Sequence, residues 1–235
     1  MREMKTMKNS KAFIFDMDGT MFDNMQYHLQ AWEQMVAELG SPLRGEELFK
    51  QLYGKNKEVI ERIFGQDRFT EEEKNRISVR KDQYFRHLYG PHLKLMRGLN
   101  HFLQQSRDGN ILLAIATGGL MDNIDFSLEK TGIRDFFSAI VSEADVTNSK
   151  PDPETFLLAA KQMGVSPDHC IVFEDVPKGV EAANRAGMNA VVILSSHEKT
   201  DFAGFPNVIS LVKDYTALQP GEVFAKINKA GKPAL

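Results

Sequence analysis

Apolar residues fall into two kinds of pattern along this chain. Short continuous runs at 12–15, 111–116, 139–141, 171–173, 190–194 and 208–209 predict strands, and the longest has the unbroken character of a central parallel strand buried on both faces. Elsewhere the apolar positions recur at helical spacing. Met25, Leu29, Trp32, Val36 and Leu39 predict a helix over 25–39, stopped by Gly40-Ser41-Pro42. Shorter helical pieces follow at 46–53 and 57–64. Thr70, with Glu73 three residues on, forms a capping box for a long helix whose apolar face carries Ile77, Tyr84, Phe85 and Leu88. Gly90-Pro91 ends it.

No strand pattern occurs between Met25 and His92, so 24–93 reads as an inserted all-helical cap domain. The flanking segments, 1–23 and 94–235, then form one core domain. After Gly98 strands and helices alternate, with helices starting near Leu99 and at 123–130, 152–164 and 179–186. The helix from Asp152-Pro153 has proline at its first position. Such alternation predicts an α/β fold, a doubly wound, Rossmann-like parallel sheet with right-handed crossovers. The tail from Gln219 is weakly patterned and is expected to be partly disordered.

Composition narrows the function classes. With 29 Lys+Arg against 32 Asp+Glu, the net charge of -3 gives no electrostatic case for nucleic acid or an anionic membrane. No stretch approaches the ~18 apolar residues of a membrane span. The polar start, Met1 to Ser10, lacks the apolar core of a signal peptide, and a cytoplasmic location is expected. The single cysteine, Cys170, excludes an intramolecular disulfide and reads as a small core filler.

Chemistry concentrates where the strands stop. Asp16-Met17-Asp18-Gly19-Thr20 directly follows the first run, and the glycine permits a sharp turn that leaves both carboxylates at the strand's carboxyl end. Residues two apart in extended chain are separated by roughly 7 Å, enough to flank a tetrahedral group. Asp16 could attack a phosphorus while Asp18 handles the proton of the departing oxygen. Taken alone, the stretch reads equally well as an Asx-rich turn. Thr117-Gly118-Gly119, Lys150 and Glu174-Asp175 also stand at strand ends or beside them, and each has a bland reading as helix cap, surface lysine or helix-dipole partner. Their joint position decides, because a parallel sheet brings these ends to one edge. Asp16, Asp18, Glu174 and Asp175 together would repel a phosphate dianion, a conflict that Mg²⁺ removes. Lys150 would neutralise equatorial oxygens, and Thr117 with the Gly118 and Gly119 amides would donate hydrogen bonds to them.

These motifs, in this order, resemble those of the haloacid dehalogenase-like superfamily. Asp16-Met17-Asp18-Gly19-Thr20, the strand ending at Thr117, Lys150-Pro151-Asp152-Pro153 and Phe173-Glu174-Asp175 carry the likeness, supported by Gly179-Val180-Glu181-Ala182-Ala183. The helical insertion, with Tyr27-His28 and Trp32, is similar to the cap of the β-phosphoglucomutase and phosphoglycolate-phosphatase branch. The resemblance implies that Asp16 is the nucleophile and Asp18 the general acid/base. Asp16, Asp175 and the carbonyl of Asp18 would bind Mg²⁺, with Glu174 acting through water; Thr117 and Lys150 would hold the phosphoryl group. His28 would assist closure of the cap, or else be a packing histidine. Lys55 and Asn56, in the loop 54–57, would face the substrate, or else the loop's lysines are simply solvated; a cation at Arg80 or its neighbour Lys81 would face it too.

Departures from the pattern bear on specificity. Gly118, Gly119 and Leu120 stand where the mutases carry small hydroxyl residues and a lysine, which removes a contact expected for a second phosphate. The sequence therefore favours a monomeric, Mg²⁺-dependent phosphatase of a small, sugar-like phosphate monoester, ahead of a β-phosphoglucomutase. A non-catalytic sugar-phosphate-binding protein would be expected to have lost one of Asp16, Asp18, Lys150 or Asp175, and all four are present.

Overall fold

The computed structural model describes residues 10–230. Six parallel strands form one sheet in the order β3-β2-β1-β4-β5-β6: β1 (Ala12–Phe15), β2 (Leu112–Ala116), β3 (Ala139–Val141), β4 (Cys170–Glu174), β5 (Asn189–Ile193) and β6 (Val208–Val212). β1 is central, with Phe15 beside Ile115 of β2 and Phe173 of β4. The strand order reverses between β1 and β4, so a crevice opens at their carboxyl ends, the location at which open α/β sheets bind ligands.

Alternation along β1 sorts the two faces. Phe13 and Phe15 point into an aromatic core with Phe102, Phe173, Tyr215 and Phe224, where Phe13 stacks on Phe224 at 4.8 Å and Phe15 on Phe173 at 4.7 Å. Ala12 and Ile14 face the other side, where small residues let α7 (Glu154–Met163) and α8 (Pro177–Arg185) lie close on the sheet. Cys170 fills part of this second core, as its apolar setting predicts. Truncating one of the buried phenylalanines to alanine would cost about 3–5 kcal/mol.

Between β1 and α5 (Leu99–Asp108) the chain is wholly helical: α1 (Met25–Glu38), α2 (Gly45–Phe49), α3 (Asn56–Phe64) and α4 (Glu71–Tyr89), then one short 3-10 turn. These helices share a core of their own, built on Trp32, Met35, Val36, Leu48, Val59, Ile60 and Ile77. The Thr70 capping box forms as expected, the Thr70 hydroxyl accepting from Glu73 N and the Glu73 carboxylate accepting from Thr70 N.

Several boundaries differ from expectation. β6 extends three residues further than the run 208–209, and α2 is shorter than 46–53, breaking into turns before Gly54. Pro153 caps α7 from outside rather than occupying its first turn, with Asp152 Oδ1 accepting from Glu154 N at 2.9 Å. The first part of the tail from Gln219 is regular, and residues 231–235 lie outside the described residues. Residues Pro220–Ala230 form α9, because Val223 and Phe224 bury against the aromatic core and Phe13 supplies a stacking partner. Among the described residues no helix is long and apolar enough to cross a membrane.

Candidate active site

Asp16 leaves β1 still paired in the sheet, its amide donating to Phe173 O at 2.9 Å. The turn that follows depends on Gly19, whose φ of 77° suits glycine and where a Cβ would run into the Asp175 carboxylate. Gly179 plays a matching part in α8, since a Cβ there would occupy the space of the Glu174 carboxylate. The two glycines therefore let three acidic side chains crowd together. Single carboxylate oxygens of Asp16, Glu174 and Asp175 lie within 4.8 Å of one another, all buried.

Lys150, in the loop after β3, ties this cluster together. Its Nζ donates to Asp16 Oδ1 and Glu174 Oε1, both at 2.6 Å, and to Ala116 O at 3.2 Å. The other Glu174 oxygen accepts from the amides of Asp175 and Val176. Asp175 has no cationic side chain in contact among the described residues; it accepts from Thr20 Oγ1 at 3.1 Å and Ser196 Oγ at 2.9 Å. Burial pushes the Asp16 carboxyl up to about 7, with Lys150 opposing and Glu174 adding to the rise. Burial and the charges of Glu174 and Asp16 hold Asp175 well above the usual carboxylate range. The Lys150 ammonium is raised: burial opposes its charge, and Asp16 and Glu174 outweigh burial. Three buried carboxylates against one lysine, offering only oxygen donors, fit a hard divalent cation.

Asp18 sits in a different environment. Asn24 Nδ2 donates to its Oδ1 at 2.5 Å, and His28 Nε2 lies 3.3 Å from the same oxygen. Burial works against its charge, but His28 first, then Asn24 and Lys81, keep it below the ordinary value. Two carboxylates two residues apart are thus driven in opposite directions by their surroundings.

Asp16, Asp18, Thr117, Gly118, Lys150, Glu174 and Asp175 line one cleft of about 490 Å³. Thr117 is buried, and its Oγ1 accepts from Gly119 N at 3.1 Å, so the amide expected to face a phosphate instead holds the threonine side chain. The helical block covers the cleft with His28, Trp32, Lys55, Asn56 and Lys81. Lys55 Nζ reaches across to Val146 O at 2.6 Å, and the Ser149 hydroxyl donates to the Glu58 carboxylate at 2.7 Å. Asn56 Nδ2 donates to Asp82 Oδ2 at 3.0 Å.

Arg80 is not at the cleft. It lies on the outer side of α4, paired with Glu38 at 2.9 Å and lining a surface hollow with Arg76, Val79 and Tyr84. The residue that α4 sends to the cleft is its neighbour Lys81, buried, bonded to Asp82 at 2.9 Å and to His28 Nδ1 at 2.9 Å. The reason is helical phase: Lys81 is four residues from both Ile77 and Phe85, two members of the buried stripe, whereas Arg80 falls at its outer edge. Sequence reasoning assigned no part to Asn24, Asp82, Glu143, Lys178 or Ser196. Only Asn24 carried a local signal, as a polar residue just ahead of α1.

A switch-point crevice holding a carboxylate cluster, a bridging lysine and a separately tuned second aspartate defines an α/β enzyme of carboxylate-based chemistry. The family model described as haloacid dehalogenase-like hydrolase matches residues 13–193, and the chain belongs to that family. It is 33% identical over 188 residues to β-phosphoglucomutase of Bacillus subtilis, covering 77% of this chain and 82% of that protein. It is 29% identical over 180 residues to the fructose-1-phosphate phosphatase YqaB of Escherichia coli, covering 77% and 94%. The crystal structure of a family IA, variant 3 hydrolase from Entamoeba histolytica superposes with a TM-score of 0.84 at 26% identity, covering 93% of this chain and 99% of that one.

Proposed function

We propose that this protein is a Mg²⁺-dependent phosphatase of a small, sugar-like phosphate monoester, acting through an aspartyl-phosphate on Asp16. The observation that carries the reading is the meeting of Asp16, Lys150 and Glu174 at 2.6 Å contacts beside Asp175, with Asp18 on the adjoining turn. Asp16, Asp175 and the carbonyl of Asp18 would hold Mg²⁺, with Glu174 acting through water, and the bound ion would supply the positive charge that lets a phosphate dianion approach. Asp16 Oδ attacks the phosphorus and Lys150 compensates charge on the equatorial oxygens. Thr117 holds the phosphoryl group; the arriving phosphate dianion favours the protonated form of the neighbouring Asp18, which then delivers that proton to the leaving oxygen. The ionised Asp18 then takes a proton from the water that hydrolyses the aspartyl-phosphate. His28, 3.3 Å away and bonded to Lys81, positions the Asp18 carboxylate for both transfers.

Residues 24–93 act as a cap over a core of 1–23 and 94–235, and the protein works as a cytoplasmic monomer. Lys55 and Asn56 present the cap's polar groups to the part of the substrate that is not transferred. A β-phosphoglucomutase is the second reading, favoured by the 33% identical relative of that name. Gly118, Gly119 and Leu120 weigh against it, because that wall of the cleft offers no side-chain donor to a second phosphate.

A phosphate-ester panel with Mg²⁺, and with EDTA as control, tests the reading. It should include β-glucose 1-phosphate with a trace of the 1,6-bisphosphate and a coupled readout for glucose 6-phosphate. Free phosphate as the main product supports the phosphatase; glucose 6-phosphate without phosphate release overturns it in favour of the mutase.

A further inference from the structure

Glu143 lies two residues beyond β3, and its amide donates to Gly119 O at 3.2 Å, which fixes it against the loop that follows Thr117. Its side chain lines the cleft, and its Oε2 is buried without a hydrogen-bond partner among the described residues. A buried acceptor left unpaired is costly, so it marks a place where a donor belongs. Burial holds the Glu143 carboxyl above its usual range, and the charges felt across the cleft are those of Lys55, Asp82, Lys57 and Lys81. Each of the three lysines is already engaged: Lys55 by the Val146 and Thr147 carbonyls, Lys57 by Glu71, and Lys81 by Asp82 and His28. Of the other cleft lysines, Lys50 pairs with Glu46, Lys150 with Asp16 and Glu174, and Lys178 sits over the Tyr53 ring. The wall beside Glu143, formed by Gly118, Gly119 and Leu120, carries no side-chain donor.

We propose that Glu143 is a specificity-determining residue: its buried oxygen accepts a hydrogen bond from a hydroxyl or ammonium group on the non-transferred part of the substrate. It thereby selects monophosphates of polyols and amino sugars over esters carrying a second anionic group. This rests on the phosphoryl-transfer reading of the cleft. A second phosphate placed near Glu143 would meet a carboxylate, and Lys55, Lys57 and Lys81 are already bonded elsewhere, whereas a hydroxyl or ammonium group would satisfy the orphaned oxygen. A hydrogen bond to a charged group of this kind contributes about 10–100-fold in discrimination.

The test measures kcat/KM with Mg²⁺ for acetyl phosphate, fructose 1-phosphate, glucosamine 6-phosphate and fructose 1,6-bisphosphate. The enzymes are the wild type, Glu143→Gln and Glu143→Lys. Acetyl phosphate reports the phosphoryl chemistry without a sugar to recognise. The preferred sugar monophosphate should lose about 10-fold or more relative to acetyl phosphate in Glu143→Gln, and more in Glu143→Lys. The bisphosphate should gain relative to the monophosphates in Glu143→Lys. Ratios that stay the same in both variants, with an active wild type, overturn this proposal alone. A wild type inert toward every ester, acetyl phosphate included, overturns the phosphatase reading and this proposal with it.

Discussion

Replacing Asp175 with asparagine removes a negative charge that the fold buries with no cationic side chain in contact among the described residues. Its oxygens accept from the hydroxyls of Thr20, Ser195 and Ser196, while Asp16 and Glu174 share Lys150. With carboxylate oxygens within 4.8 Å, each neighbouring carboxylate repels Asp175 by roughly 3.5 kcal/mol at an effective dielectric near 20. Lys150 offsets about one of the two repulsions, leaving a net cost of about 3 kcal/mol. Asp175→Asn should therefore stabilise the metal-free protein, raising its apparent Tm by about 6–12 °C for a chain of this size. The pH dependence has a definite sign. The folded state holds the Asp175 proton more tightly than the unfolded chain does, so the site costs nothing below about pH 4 and destabilises increasingly as pH rises through the folded value. Thermal unfolding in EDTA from pH 4.5 to 8 should show the wild type falling away from the variant. Mg²⁺ at 1,000 times Kd should reverse the order, since binding at that concentration stabilises only the wild type, by about 4.1 kcal/mol. A variant no more stable than wild type in EDTA at pH 7.5 would refute the reasoning.

Lys81→Met should lower kcat/KM by about 10²-fold or more through loss of the His28–Asp18 arrangement, while Arg80→Ala stays within about 2-fold; steady-state kinetics on one ester decide, and equal losses would contradict the assignment. Gly179→Ala should destabilise by about 1–3 kcal/mol and reduce turnover, because the added methyl displaces the Glu174 carboxylate; urea unfolding and kinetics check both. Burial pushes the Cys170 thiol up to about 12, so the native protein should resist Ellman's reagent at pH 8 and release one equivalent of thiol only in denaturant. Rapid native labelling would contradict that burial.

Much of this was legible in the sequence because it is local. The continuous apolar runs mark strands, and Asp16, Thr117 and Asp175 each follow the end of one, so the parallel topology alone brings them together. Lys81 was legible in part: its spacing from Ile77 and Phe85 places it on the buried stripe, a sharper signal than the resemblance that left Arg80 and Lys81 as alternatives. The helix α9 was harder, since Pro220, Gly221 and its polar residues dilute the apolar positions. What fixes it is the tertiary contact of Phe224 with Phe13, which no local pattern contains. Ser196 and Glu143 had no sequence signal. They matter through loops after β5 and β3 that meet the cleft only once the sheet has formed.

The most direct measurement is acid-quenched intact and peptide mass spectrometry after mixing the Mg²⁺-loaded protein with acetyl phosphate. One phosphoryl group should appear on the peptide containing Asp16 and be absent from a folded, inactive Asp16→Asn variant. Phosphoryl transfer to another residue, or ester hydrolysis that survives in Asp16→Asn, would contradict the account.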